Sequence, residues 1–266
     1  MDSSAVHRWP LPVRIAVPGL GALAVAVPAR LVGGPVAAVV GGALIIALAL
    51  VTLRLLDRRS PAEAGLVRTA LAGRQLLLGF LAWLVPAGAA ILVLAVGGQV
   101  GLRVPDGVAW LSPVAVHLGV IMVGQVLPYE LIFRGVVQSN LSERYGGWGM
   151  IIRQGLLYGV FLTVLRLVGG GAPVIALAVE ASYAVGVGIA LGYARAVSGS
   201  VWVSAGLHLA YLTVTGLTGD PALGLVDRPP DWLPALFAYG VVPFGVSLAC
   251  VETLVRLRPQ SVRAAG

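Results

Sequence analysis

Long apolar stretches separated by short polar ones organise this chain. Windows long enough to cross about 30 Å of hydrocarbon fall near residues 13–30, 34–55, 76–98, 108–129, 150–168, 172–193, 201–218 and 233–255. Each predicts a transmembrane helix. The pattern therefore predicts an all-α fold, a polytopic transmembrane helix bundle of about eight spans. The first window is short and loosened by Pro18, Gly19 and Gly21, so seven spans is the alternative. A cleaved leader is a further reading there, because Arg8 and Arg14 precede the run Ile15 to Val27 and Ala24-Val25-Ala26 resembles a signal-peptidase site. The second span follows at once, which favours a first transmembrane helix. The spans use up the length, and connectors stay below about 20 residues. Residues 1–266 thus read as a single integral membrane domain.

Composition sharpens this picture. The 266 residues are 58% hydrophobic and only 11% charged, where soluble domains carry about 25% charge. The net charge of +7 comes from arginine, because the chain has no lysine. Arg54, Asp57, Arg58, Arg59, Glu63, Arg68 and Arg74 separate spans two and three. The stretch Arg134 to Arg153, then Arg195, Arg256, Arg258 and Arg263, falls on the same side if both termini are cytoplasmic. The opposite side holds Arg30, Arg103 with Asp106, Arg166, Asp220, Asp227, Arg228 and Asp231. That asymmetry predicts a multi-pass protein of the cell membrane, with the lipid bilayer as its first partner. It also argues against nucleic acid, since no basic cluster is present to release phosphate counterions. Trp110, Trp148, Trp202 and Trp232 fall at span ends, as interfacial aromatics should. Cys250, the only cysteine, excludes an intramolecular disulfide and reads as an inert buried thiol.

Few polar side chains remain to carry chemistry. Glu130 and Arg134 are four apart and share a helix face, just after Pro128, whose ring should bend the helix. They form either a helix-end ion pair or part of a catalytic site. His208 sits within the apolar run Val203 to Val214, and Tyr211 and Thr215 continue its face as a polar stripe. Glu180 lies near the middle of span six, where a carboxylate is costly. Ser182, Tyr183, Arg153, Arg166 and His117 are its candidate partners, or it lines a polar cavity. His117 is about 220° around the helix from Glu130 and points away from it. No pair of histidines shares a face, so neither a metal nor another cofactor is expected. Gly186, Gly188 and Gly192 on span six read as a packing face.

The run Tyr129-Glu130-Leu131-Ile132-Phe133-Arg134-Gly135 resembles the first motif, Glu-Glu-x-x-x-Arg, of the CPBP family (CAAX proteases and bacteriocin-processing enzymes, or Abi proteins). Leu157-Tyr158-Gly159-Val160-Phe161-Leu162 is similar to the middle motif, Phe-x-x-x-His. Gly188 to Arg195, then Gly199-Ser200-Val201-Trp202 and His208, resemble the approach to the last motif, His-x-x-x-Asn. The three segments occur in family order over about residues 110–218, which would form the family-like core. The resemblance implies an intramembrane protease. In that family the first Glu activates water, histidines assist, and Asn helps to form an oxyanion site.

This chain departs from the pattern at three positions. The offset to Arg134 aligns Glu130 with the second Glu and puts Tyr129 at the first. Leu162 stands at the middle-motif His, and Leu212 at the final Asn. A phenol with its ordinary pKa of about 10 is no substitute for a carboxylate base near pH 7. Glu130, Arg134 and His208 are the remaining catalytic candidates, with Glu180, Tyr129 and Tyr211 as accessory groups. The resemblance therefore predicts a catalytically impaired relative that acts as a binding or regulatory membrane module, engaging a membrane protein or peptide. One alternative is an active endopeptidase using Glu130 and His208. The other is a small-solute transporter with Glu130 and Glu180 along its path.

Overall fold

In the computed structural model, which describes residues 9–66, 69–103, 108, 110–170, 173–219, 226–228 and 231–257, eight helices are long and apolar enough to cross a membrane. They are α1 (Leu11–Val32), α2 (Gly34–Leu55), α3 (Thr69–Val96), α4 (Leu111–Leu141), α5 (Gly147–Val168), α6 (Val174–Ser198), α7 (Val201–Gly219) and α8 (Trp232–Arg256). Two short strands, β1 (Gly101–Leu102) and β2 (Val226–Arg228), pair antiparallel outside the bundle. Arg68, Asp106, Asp220, Arg258 and Arg263, invoked in the orientation argument, lie outside the described residues, as does the N-terminal segment before Trp9 with Arg8 of the leader reading.

The helices differ from the apolar windows where sequence breakers meet tertiary packing. α1 runs unbroken through Pro18 and Pro28, so the seven-span alternative does not apply. Gly33 alone separates α1 from α2, at φ 72°, a left-handed turn that only glycine makes without strain. α4 does not end at Tyr129. It continues through Pro128 and Glu130 to Leu141. Proline lacks an N–H, and the helix absorbs that loss by widening. Residues Met122–Val126 and Leu131–Val137 form five-residue turns on either side of Pro128, and the Leu127 N–H donates to Met122 O, five residues back. Such widened turns recur at functional sites. Here they bracket Glu130.

Packing follows small residues. α3 lies along α7, and α5 along α6. A Cβ on Gly206 would meet the backbone of Leu76, Phe80 and Gly79, so α3 and α7 touch backbone to backbone. Gly155 and Gly188 bring α5 and α6 together in the same way. Close approach of this kind replaces the hydrophobic drive that lipid cannot supply. Gly186, read as part of that face, has nothing within 4 Å of its Cβ position and packs against no neighbour. The outward faces carry exposed Val36, Val93 and Ile175, as a lipid-facing surface should. Cys250 belongs to that surface. It is exposed, not buried, because α8 turns Pro243, Phe244, Ser247 and Val251 inward instead.

α7 is the most enclosed of the eight helices, and Leu131 to Val137 of α4 are buried without exception. These two segments run through the centre of the bundle. The few polar groups that the sequence places on them therefore meet away from lipid.

Candidate functional site

Glu130 is wholly buried, and three donors surround its carboxylate. His208 Nδ1 lies 2.9 Å from Oε1, Arg134 Nη1 lies 3.3 Å from the same oxygen, and Ser204 Oγ donates to Oε2 at 2.6 Å. A carboxylate only accepts, so Nδ1 carries the imidazole hydrogen. In the neutral ring, Nε2 is then an acceptor. It faces the Tyr158 hydroxyl at 3.4 Å. The structure thus brings Glu130, Arg134 and His208 together from α4 and α7.

Each neighbour is itself held. Arg134 donates to Gly188 O at 3.2 Å, and its guanidinium lies over the Tyr158 ring, 4.4 Å from the centroid. Tyr158 packs edge-on to Phe133, at 5.2 Å between centroids. Ser204 is one turn before His208, so both reach Glu130 from the same face of α7. Sequence reasoning missed Ser204, although that four-residue spacing was there to be read. Ser200 immediately precedes α7, and its Oγ accepts the Trp202 N–H at 3.1 Å and donates to Gln75 Oε1 at 2.6 Å. That cap ties the start of α7 to α3.

Beside the cluster is a cavity of about 280 Å³. Tyr129, Tyr158, Leu162, His208, Tyr211 and Leu212 line its inner part, and Arg30, Arg166 and Glu180 its mouth. Glu130 is not on its wall. The three positions where the chain departs from the CPBP pattern, Tyr129, Leu162 and Leu212, all face this hollow. Tyr129 stacks edge-on to Phe161 at 5.0 Å. Tyr211 packs against Trp83 and Phe244.

Glu180 is not in mid-span. It stands in the second turn of α6, its side chain 47% exposed, and pairs with Arg166 at 2.7 Å. The apolar window stopped at residue 193, whereas the helix starts at Val174 and runs on to Ser198, which moves its centre away from Glu180. His117 joins neither carboxylate. Its ring lies against Gly216 of α7, and its Nε2 has no hydrogen-bond partner. Among the described residues, no three His, Cys, Asp or Glu side chains converge as metal ligands would. The Arg134 guanidinium, 3.3 Å from Glu130 Oε1, would repel a cation there.

A second polar cluster lies at the other end of the bundle, and the sequence reading did not anticipate it. Arg14 of α1 donates to Asn140 Oδ1 at 2.8 Å and to Glu143 Oε1 at 2.9 Å. Asn140 in turn donates to Asp57 Oδ2 at 2.9 Å. Arg59 completes it through Glu143. These residues stitch the ends of α1, α2 and α4. The cavity mouth at Arg30, Arg166 and Glu180 is at the opposite end, because those residues close α1 and α5 and open α6.

Comparison with known proteins bears on the same helices. Residues 110–214 match the family described as type II CAAX prenyl endopeptidase Rce1-like. The match spans α4 to α7 and so contains Tyr129, Glu130, Arg134, Leu162, Ser204, His208 and Leu212. No curated protein and no solved structure matches the chain.

Proposed function

Residues 110–214 make this helical membrane protein a member of the CAAX-protease family, and from that premise we propose that it is a catalytically impaired one, retained as a binding or regulatory membrane module. The observation that carries this reading is the enclosure of Glu130. At zero exposure its two oxygens meet His208 Nδ1 and the Ser204 hydroxyl in hydrogen bonds, with the Arg134 guanidinium as an ion-pair partner at 3.3 Å. A general base must reach a water or the proton that it removes. This one is walled off from the cavity beside it. The cavity wall carries a phenol and two leucines, Tyr129, Leu162 and Leu212, at the family's base, histidine and asparagine positions. Loss of a single oxyanion donor alone costs about 2.7–4 kcal/mol in hydrolases. The hollow itself persists and could admit a peptide or lipidated chain end without cleaving it.

One observation favours the active alternative. Glu130 and His208 are in direct contact, and His208 Nε2 is turned towards Tyr158 on the cavity wall. In that reading His208 is the base and Glu130 holds its tautomer, as the carboxylate does behind the histidine of a hydrolytic triad. The transporter reading finds less support, because Glu130 is sealed and Glu180 is paired at the surface.

The reading also puts both termini in the cytoplasm and the protein in the plasma membrane. The arginine-rich end that holds Arg14, Arg59 and Arg195 supports that orientation.

Reconstituted protein should therefore turn over neither prenylated CAAX peptides nor a membrane-peptide library above the background of Glu130→Gln and His208→Ala. Turnover lost in both variants would instead establish the endopeptidase. The triple change Tyr129→Glu, Leu162→His and Leu212→Asn should confer cleavage that the natural chain lacks.

A further inference from the structure

Between α1, α4 and α5 runs a second hollow of about 670 Å³. Leu20, Leu157, Val160, Phe133 and Phe161 are among its walls. Phe133 and Phe161 separate it from Tyr129 and Tyr158 of the buried cluster, each packing edge-on to one of them. Arg144, Tyr145 and Arg153 also line it, at the arginine-rich end of the bundle. The two guanidiniums lie over the Tyr145 ring, 5.9 and 3.9 Å from its centroid. Both arginines are exposed.

The Arg153 guanidinium also donates from Nη1 to Gly149 O, within its own helix, at 3.0 Å. Among the described residues neither pairs with a carboxylate. Glu143, the acid beside Arg144, is turned to Arg14 and Arg59. Nearby Trp148 is exposed and stacks on Tyr193 at 5.3 Å between centroids. Such an aromatic at a helix start sits at the headgroup level. The hollow is thus an apolar slot inside the bilayer, topped by a cationic fork at the interface.

We infer that this cleft holds an anionic phospholipid, with one acyl chain in the slot and the phosphate between Arg144 and Arg153. An apolar hollow facing lipid gains dispersion contacts only when a chain fills it. A zwitterionic headgroup would bring its own cation to two arginines that already lack a counter-charge. A basic pocket between spans on the cytoplasmic side is suited to an anionic headgroup. The site is separate from Glu130 and holds whether or not the protein cleaves peptides.

Native mass spectrometry of the full-length protein, with phosphatidylglycerol or phosphatidylcholine of the same acyl chains, tests this. Phosphatidylglycerol should bind roughly tenfold more tightly. Arg144→Gln with Arg153→Gln should bring it down to the level of phosphatidylcholine. Gly19→Phe tests the slot by other means. Gly19 lines the hollow and has nothing within 4 Å of its Cβ position, so a ring there should fill the slot and displace both lipids while the thermal midpoint stays put. Equal binding of the two lipids by the natural chain would overturn the inference. So would phosphatidylglycerol binding unchanged in both variants, or a lipid-free dimer that Gly19→Phe dissociates, which would assign the cleft to a second copy of the chain.

Discussion

Glu130 shows how a single side chain acquires its meaning from three others. Arginine keeps its charge in a protein interior, so Arg134, fully buried, depends on Glu130 for compensation. Glu130→Leu leaves that guanidinium and the His208 N–H facing a methyl group. The expected loss is about 3–5 kcal/mol, the range for breaking a buried pair from one side. Glu130→Leu with Arg134→Met removes both charges, and replacement of a buried pair by apolar groups is often neutral. Reversible unfolding in mixed micelles should therefore find the double variant well above the single one. A double variant as unstable as the single would mean that the pair does not act as a unit. Glu130, Arg134 and His208 were legible as candidates, since ionisable residues among apolar ones stand out. Their partners were less so. Arg14 read only as a charge ahead of the first apolar run, yet it is 3% exposed and reaches Asn140. Which residues meet across helices depends on the rotation of each helix, and a chain this uniformly apolar carries little periodicity from which to read it.

Helices were legible as apolar length, and their ends less so. The fourth apolar window ended at residue 129, but α4 passes on through Pro128 because two widened turns take up the missing hydrogen bond. The contacts between helices rest on glycines whose importance composition alone does not rank. Gly206 and Gly186 look alike in sequence. At Gly206 a side chain would strike the backbone of α3, whereas at Gly186 it would meet open space. Gly206→Val should therefore force α3 and α7 apart and cost about 1–3 kcal/mol or more, as overpacking does. Gly186→Ala should be neutral, or stabilising by about 0.4–1 kcal/mol through the lower entropy of the unfolded chain. Melting midpoints of the two variants in one detergent decide the matter. Equal losses would show that α3 and α7 do not pack as described.

For the molecule as a whole, the number of crossings fixes which groups share a compartment. Ser60 follows α2, Gln99 follows α3, and Ser142 follows α4, so a single crossing separates each from the next. Ser60 and Ser142 must then share the side of the Arg14, Asp57, Asn140 and Glu143 cluster, with Gln99 opposite. All three are exposed. The chain is suited to a labelling test because Cys250 is its only cysteine, and Cys250→Ser supplies a thiol-free background at an exposed, lipid-facing position. On that background, Gln99→Cys should react with a membrane-impermeant maleimide on intact cells. Ser60→Cys and Ser142→Cys should react only after permeabilisation, because the arginine-rich end is expected in the cytoplasm. The reverse pattern would invert the protein and carry the mouth of the cavity at Arg30, Arg166 and Glu180 to the cytoplasmic face, where a cytoplasmic chain end could reach it. That outcome would open the cavity to cytoplasmic peptides while leaving the sealed carboxylate in place. Reaction of Ser60→Cys and Ser142→Cys from opposite sides would do more damage, because α3 and α4 could not then both span the bilayer. The meeting of Glu130 with Ser204 and His208 requires that they do.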